Sequence, residues 1–204
     1  MPEPDALFII VRHGNTFETG EPARRIGART DLALTSRGIE QAEVLGAHFA
    51  AENMRFGRII VSPLRRTRQT ADAIIAAQSD PAVPEVADFL REIDHGPDEN
   101  QTEEAVLARI GAAALTAWDH EAIPPPDWSV EADARIAAWR GLFASAVPGQ
   151  LPTLLVTSNG AARFALIAAM VSHVQSLKLA TGSYGMIRIA ADGACEVPVW
   201  GERP

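Results

Sequence analysis

Three short apolar runs constrain this chain most: Leu7–Val11, Arg58–Val61 and Thr153–Thr157. None shows the polar alternation of a strand with one wet face, so each reads as a strand buried on both sides. Each is followed by a longer stretch with helical apolar spacing. Strands that alternate with helices build a parallel sheet with helices packed on its faces. The expected fold is therefore α/β, a three-layer α/β/α sandwich with a mainly parallel central sheet, formed by residues 1–204 as one domain.

The helices can be placed from their start signals. Thr35-Ser36-Arg37-Gly38-Ile39-Glu40 opens a helix to about Glu52, with Ile39, Ala42, Leu45, Ala47 and Phe49 on its apolar positions. Ser62 with Pro63 at the first helical position predicts a helix to about Ala77. Thr102, followed by Glu103 and Glu104 in the favoured acidic first turn, predicts one to about Trp118. After the extended Pro124-Pro125-Pro126 loop, helices are expected over Ser129 to about Ala146 and Ala161 to about Val171. Glu85–Ala87 reads as a short extended piece. Ser183–Ala190 and Ala194–Val199 read as a closing strand pair turned at Asp192-Gly193. Trp118, Trp128 and Trp139 are candidates for the core or for an interface, with core packing expected for at least two.

Charge narrows the partners. The net charge is −8, which argues against nucleic-acid and anionic-membrane binding. The charge is unevenly spread: residues 1–68 carry ten arginines against eight acids. A basic half within an acidic protein suits a small anionic substrate. No apolar stretch approaches a membrane span. The run Leu7–Val11 is too short for a secretory core and follows Glu3 and Asp5 rather than basic residues. A lone cysteine, Cys195, permits no internal disulfide. A cytoplasmic location is the expectation, and the oligomeric state is left open. Five histidines scattered without paired-ligand spacing argue against a metal centre, and no cofactor is expected.

Sites in parallel sheets gather at the carboxyl ends of strands. The first strand ends in Arg12-His13-Gly14-Asn15. That order delivers an imidazole to the sheet edge, with a cation beside it and a glycine that admits close approach. A nucleophilic histidine aimed at phosphorus needs those things. The second strand ends in Ser62-Pro63-Leu64-Arg65-Arg66-Thr67-Arg68-Gln69-Thr70-Ala71, and the third in Ser158-Asn159-Gly160.

Taken with Thr30–Gly38 leading to Gln41-Ala42, and Leu90-Arg91-Glu92-Ile93-Asp94-His95-Gly96 with Thr102-Glu103-Glu104, these segments resemble the histidine phosphatase (phosphoglycerate-mutase-like) superfamily. The resemblance covers the first half of the chain by motif and the second by pattern. It implies that His13 carries a transient phosphohistidine and that Glu92 is the general acid, its pKa raised by burial or by a nearby phosphate. It implies that Arg12, Arg66, Gly14, Asn15, Asn159 and Gly160 bind the substrate phosphate. The activity it implies is a metal-independent phosphomonoesterase acting on a small phosphate ester.

Two positions depart from the family pattern. Where a second pocket histidine is usual, this chain has Asn159, whose amide donates hydrogen bonds without positive charge. His95 is a candidate to reach the pocket from its loop; His173 is rejected because it falls at the end of a helix. Where an asparagine often stands six residues after the nucleophile there is Thr19, and Arg24, Arg25 and Arg29 crowd the following loop. They read either as a solvated basic loop or as holders of a second anionic group. Two alternatives therefore stand beside the phosphatase: a catalytically weak phospho-ligand-binding protein of the same fold, and a phosphoglycerate-type mutase. The mutase fits less well, because the segment after Glu92 lacks an aromatic-glycine pattern.

Overall fold

The computed structural model describes residues 5–171 and 176–204. Its frame is a six-stranded sheet in the order β3-β2-β4-β1-β5-β6. The strands are β1 (Ala6–Arg12), β2 (Arg58–Val61), β3 (Glu85–Val86), β4 (Thr153–Thr157), β5 (Tyr184–Ile189) and β6 (Cys195–Glu202). The β1/β4, β2/β4 and β2/β3 pairs are parallel. The closing pair adds an antiparallel flank, β5 on β1 and β6 on β5. Its turn is closed by Ala190 N–H donating to Ala194 O at 2.9 Å, with Gly193 at φ +84°. So the sheet is mainly parallel, as expected, and the parallel part holds all three strand–helix units.

Strand periodicity sorts the core into two layers. Phe8, Ile10 and Leu155 point to the face covered by α3 (Glu103–Glu121), α4 (Ala132–Ala144) and α5 (Asn159–Ala168). Ile9, Val11, Leu154 and Val156 point to the face covered by α1 (Ser36–Ala51) and α2 (Arg65–Ala76). Trp118, Trp128 and Trp139 all lie in the first layer, so packing, not an interface, is the use the fold makes of them.

Three helix starts differ from expectation. α2 begins at Arg65, not Pro63. Its first free N–H, that of Arg65, donates to Asp31 Oδ1 at 2.6 Å, so the cap comes from a distant loop instead of from Ser62. α4 begins at Ala132 because the backbone of Ser129 is spent pairing with Asp94, and Glu131 turns the chain at φ +53°. α5 begins at Asn159, two residues early. α3 has the expected Thr102 cap, accepting from Ala105 N–H at 3.2 Å, but is broken at Gly111, where the backbone leaves helical values.

Candidate active site

β1, β2 and β4 run parallel, so their carboxyl ends meet at one edge of the sheet. His13 sits there, buried, one residue past β1. Its N–H donates to Thr157 O at 3.1 Å, which ties it to the end of β4. The imidazole has two partners that settle its tautomer. Nδ1 lies 2.7 Å from Gly14 O, which can only accept, and Nε2 lies 3.2 Å from Arg66 Nε, which can only donate. The proton is therefore on Nδ1, and Nε2 presents a lone pair. Burial, then Arg66, then Arg12 hold the ring well below the ordinary imidazole value, against the opposing Gly14 bond. At neutral pH the ring is neutral.

Gly14 is required by space: a Cβ there would stand 2.2 Å from Gly38 O. The turn is held by side chains of both covering helices. Gly14 N–H donates to Thr70 Oγ1 at 3.2 Å and Asn15 N–H to Gln41 Oε1 at 2.8 Å. The Asn15 amide itself donates to Phe17 O, bracing the loop.

Arg66, in the first turn of α2, is fully buried. Nη1 donates to Thr30 O at 2.8 Å and Nη2 to Gly27 O at 3.2 Å. Burial lowers its pKa, opposed by Glu92, Asp31 and Glu99. Arg12 donates from Nη1 to Leu179 O at 2.6 Å. Burial brings its pKa down to about 10, so it stays charged at neutral pH.

Glu92 is buried nearby. Oε1 accepts from Ile93 N–H at 2.9 Å and Oε2 from Gly160 N–H at 3.1 Å. Gly160 admits no side chain, since a Cβ would stand 2.1 Å from Glu92 Oε1. The expectation of a raised pKa does not hold in the free protein. Burial pushes it up, but His95, the two backbone N–H donors and Arg66 together outweigh burial, and the net shift is downward. Free Glu92 is a carboxylate.

Asn159 opens α5, and its Oδ1 accepts from Leu179 N–H at 2.9 Å. The group it can offer a ligand is therefore its NH2. Leu179, which sequence reasoning passed over, thus holds Arg12 by its C=O and Asn159 by its N–H. His95 is buried edge-on against Trp128, ring centroids 4.6 Å apart, with Nδ1 3.4 Å from the Glu99 carboxylate. His48 bonds to Tyr184 OH at 3.2 Å; His173 lies outside the described residues. Each loop arginine has a carboxylate partner: Arg24 with Glu21, Arg25 with Glu103, and Arg29 with Asp94 at 3.0 Å.

A cavity of 360 Å³ adjoins Glu92, walled by Ala28, Asp94, Ser129 and Arg135 among others. Of the site groups only Glu92 lines it, and a larger cavity of 510 Å³ at the opposite, amino ends of the strands, by Leu7, Arg58 and Leu151, is lined by none of them. Among the described residues no three His, Cys, Asp or Glu side chains cluster to hold a metal ion, and no helix is long and apolar enough to cross a membrane.

Comparison with known proteins places the whole chain. The chain is 28% identical over 202 residues to the 2,3-bisphosphoglycerate-dependent phosphoglycerate mutase of Methylobacterium sp. (strain 4-46), covering 94% of this chain and 95% of that one. It is 28% identical over 186 residues to the mitochondrial serine/threonine-protein phosphatase Pgam5 of Drosophila persimilis, covering 83% and 53%. In fold it matches a mycobacterial glucosyl-3-phosphoglycerate phosphatase with a TM-score of 0.78 at 20% identity, covering 97% and 99%. A family model spans residues 8–202. The chain belongs to the histidine phosphatase superfamily, branch 1.

Proposed function

We propose that this chain is a phosphomonoesterase that works through a phosphohistidine on His13. Phosphate esters fit a site whose positive charge comes from Arg12 and Arg66. Nε2 of His13 gives up the Arg66 Nε–H bond it accepts in the free protein and attacks phosphorus, and the bond to the leaving alcohol breaks. The two guanidinium groups and the Asn159 NH2 hold the equatorial oxygens and offset charge in the transition state. Glu92 gives its proton to the departing oxygen. Water then attacks the phosphohistidine, losing its proton to Glu92, and inorganic phosphate leaves.

Because free Glu92 is a carboxylate, it must gain its proton on binding. A phosphate beside it adds negative charge and raises its pKa. Hydrolysis is accordingly favoured on the acid side of neutrality. The observation that carries the reading is the unprotonated Nε2 of His13, 3.2 Å from Arg66 Nε. The test is hydrolysis of an aryl phosphate in EDTA. His13→Ala is expected to abolish it; equal turnover in wild type and His13→Ala contradicts the reading.

Asn159 favours a second reading, a phospho-ligand-binding protein with little turnover. It predicts vanadate or phosphate binding by the wild type without hydrolysis. The names of the mutase relatives supply a third. Transfer of phosphate from His13 to a phosphoglycerate in preference to water would establish it.

A further inference from the structure

We propose that Glu99 is the positioning residue of the phosphoryl pocket: through the Gly27–Thr30 turn it fixes the Arg66 guanidinium against Nε2 of His13. The proposal rests on the reading of His13 as nucleophile.

One buried carboxylate holds three of the turn's four residues, Gly27, Arg29 and Thr30, while Ala28 N–H donates to Ile93 O. Oε1 of Glu99 accepts from Gly27 N–H at 2.9 Å, Arg29 N–H at 3.1 Å and Thr30 Oγ1–H at 2.8 Å. Oε2 accepts from His95 N–H at 3.2 Å. The Glu99 side chain is 7% exposed. The turn packs on it without slack, since a Cβ on Gly27 would stand 2.3 Å from Glu99 Oε2. The same turn faces Arg66 with its carbonyls: Gly27 O and Thr30 O accept from Nη2 and Nη1, which leaves Nε to His13. The Gly27 and Arg29 N–H groups and the Thr30 hydroxyl thus go to Glu99, the Gly27 and Thr30 carbonyls to Arg66, and the remaining guanidinium donor to the nucleophile.

The arrangement has a physical purpose. A carboxylate bonded directly to Arg66 would orient it but cancel the charge a phosphate needs. Two carbonyls orient it and leave its charge intact, with the carboxylate kept one residue further out. Such indirect partners position a site's reacting groups much as outer-shell groups orient metal ligands.

The charged groups around His13 are Arg12 on β1 and Arg66 on α2, with Glu92 acting on both arginines. Glu99 faces His95 and, across the turn, Arg66. Releasing Arg66 removes one of the two cations that suppress imidazolium at His13. The Glu99 variants should therefore move the titration of His13, which a merely structural residue would not.

The experiment is an NMR titration of the ¹⁵N-labelled His13 ring in the free protein, for wild type, Glu99→Ala and Thr30→Val, with melting temperatures taken in parallel. We expect the His13 midpoint to rise toward the ordinary imidazole value in Glu99→Ala. Thr30→Val removes one donor and leaves Glu99 ionised, so it should shift the midpoint the same way by less. Aryl-phosphate turnover should fall about tenfold to a hundredfold in Glu99→Ala, in kcat more than in KM. A His13 midpoint unchanged in both variants while melting temperature falls overturns the proposal. Should Glu99→Ala not fold, Thr30→Val decides on the same criterion. The titration needs no turnover, so failure of the phosphatase reading shows separately, as a wild type that does not hydrolyse the ester.

Discussion

At the scale of single residues, the site depends on which atoms are left without a proton and which positions are left without a side chain. In the proposed mechanism His13 serves as nucleophile because Gly14 O takes its one N–H and leaves Nε2 unprotonated. Glu92 lies where it does because residue 160 is glycine. Gly160→Ala drives a methyl into the Glu92 carboxylate. It is expected to cut aryl-phosphate turnover by about tenfold or more, by the logic that small misplacements of a reacting group are costly, and steady-state kinetics of a folded Gly160→Ala protein checks this. Asn159→His should raise turnover at low pH, where the new ring is charged; a pH–rate profile lying at or below the wild type throughout contradicts that account of the position.

These residues differ in how well the sequence announced them. His13 and Arg12 stand out because a strand that ends in a cation and an imidazole is chemically pointed, whereas Arg66 is distinguished from Arg65 and Arg68 only through the family resemblance. Glu99 does not, since an acid in His95-Gly96-Pro97-Asp98-Glu99 looks like any surface turn until the loop from Gly27 folds over it. Leu179 is invisible for another reason: it acts only through its backbone.

At the scale of elements, strands and most helices were legible from period and caps, and β4 falls at its expected ends. Starts were misjudged where the decisive partner lies far off in sequence. Ser62 and Pro63 look like a helix start, yet Asp31 caps α2 at Arg65. That offset sets Arg66 in the first turn, aimed back at β1. Asp31→Ala should therefore cost about 1 kcal/mol of stability, as loss of a cap does, measurable by urea denaturation. It should lower turnover as well, because the first turn carries Arg66. The break at Gly111 was missed because glycine within an apolar-periodic run reads as tolerated.

At the scale of the whole molecule, two apolar layers hold the sheet rigid beneath the site, and acid is the condition that loosens it. Glu99 is held down to about 2 despite burial, by His95, Thr30 and backbone donors. A carboxylate with a depressed pKa stabilises the fold above its unfolded value and loses that contribution as pH falls toward 2. For Glu99 the loss is on the order of 3 kcal/mol across that window. His13 acts with the same sign: the unfolded chain takes up a proton near the ordinary imidazole value and the folded chain does not. Stability should fall steadily below neutrality. Urea midpoints against pH should show His13→Ala flattening the upper part of the fall and Glu99→Gln the lower part. The uneven charge along the chain suggests an anion pocket but not its construction: Arg24 pairs locally with Glu21, whereas the pairing of Arg25 with Glu103 and of Arg29 with Asp94 is a tertiary fact.

The central claim concerns a covalent bond, and the most direct measurement looks for it. Wild-type protein mixed with an aryl phosphate and quenched in alkali within one turnover should carry phosphate on His13 alone, stable in base and lost in acid. Phosphate found on another residue, or full turnover with no phosphate bound to the chain, contradicts the account.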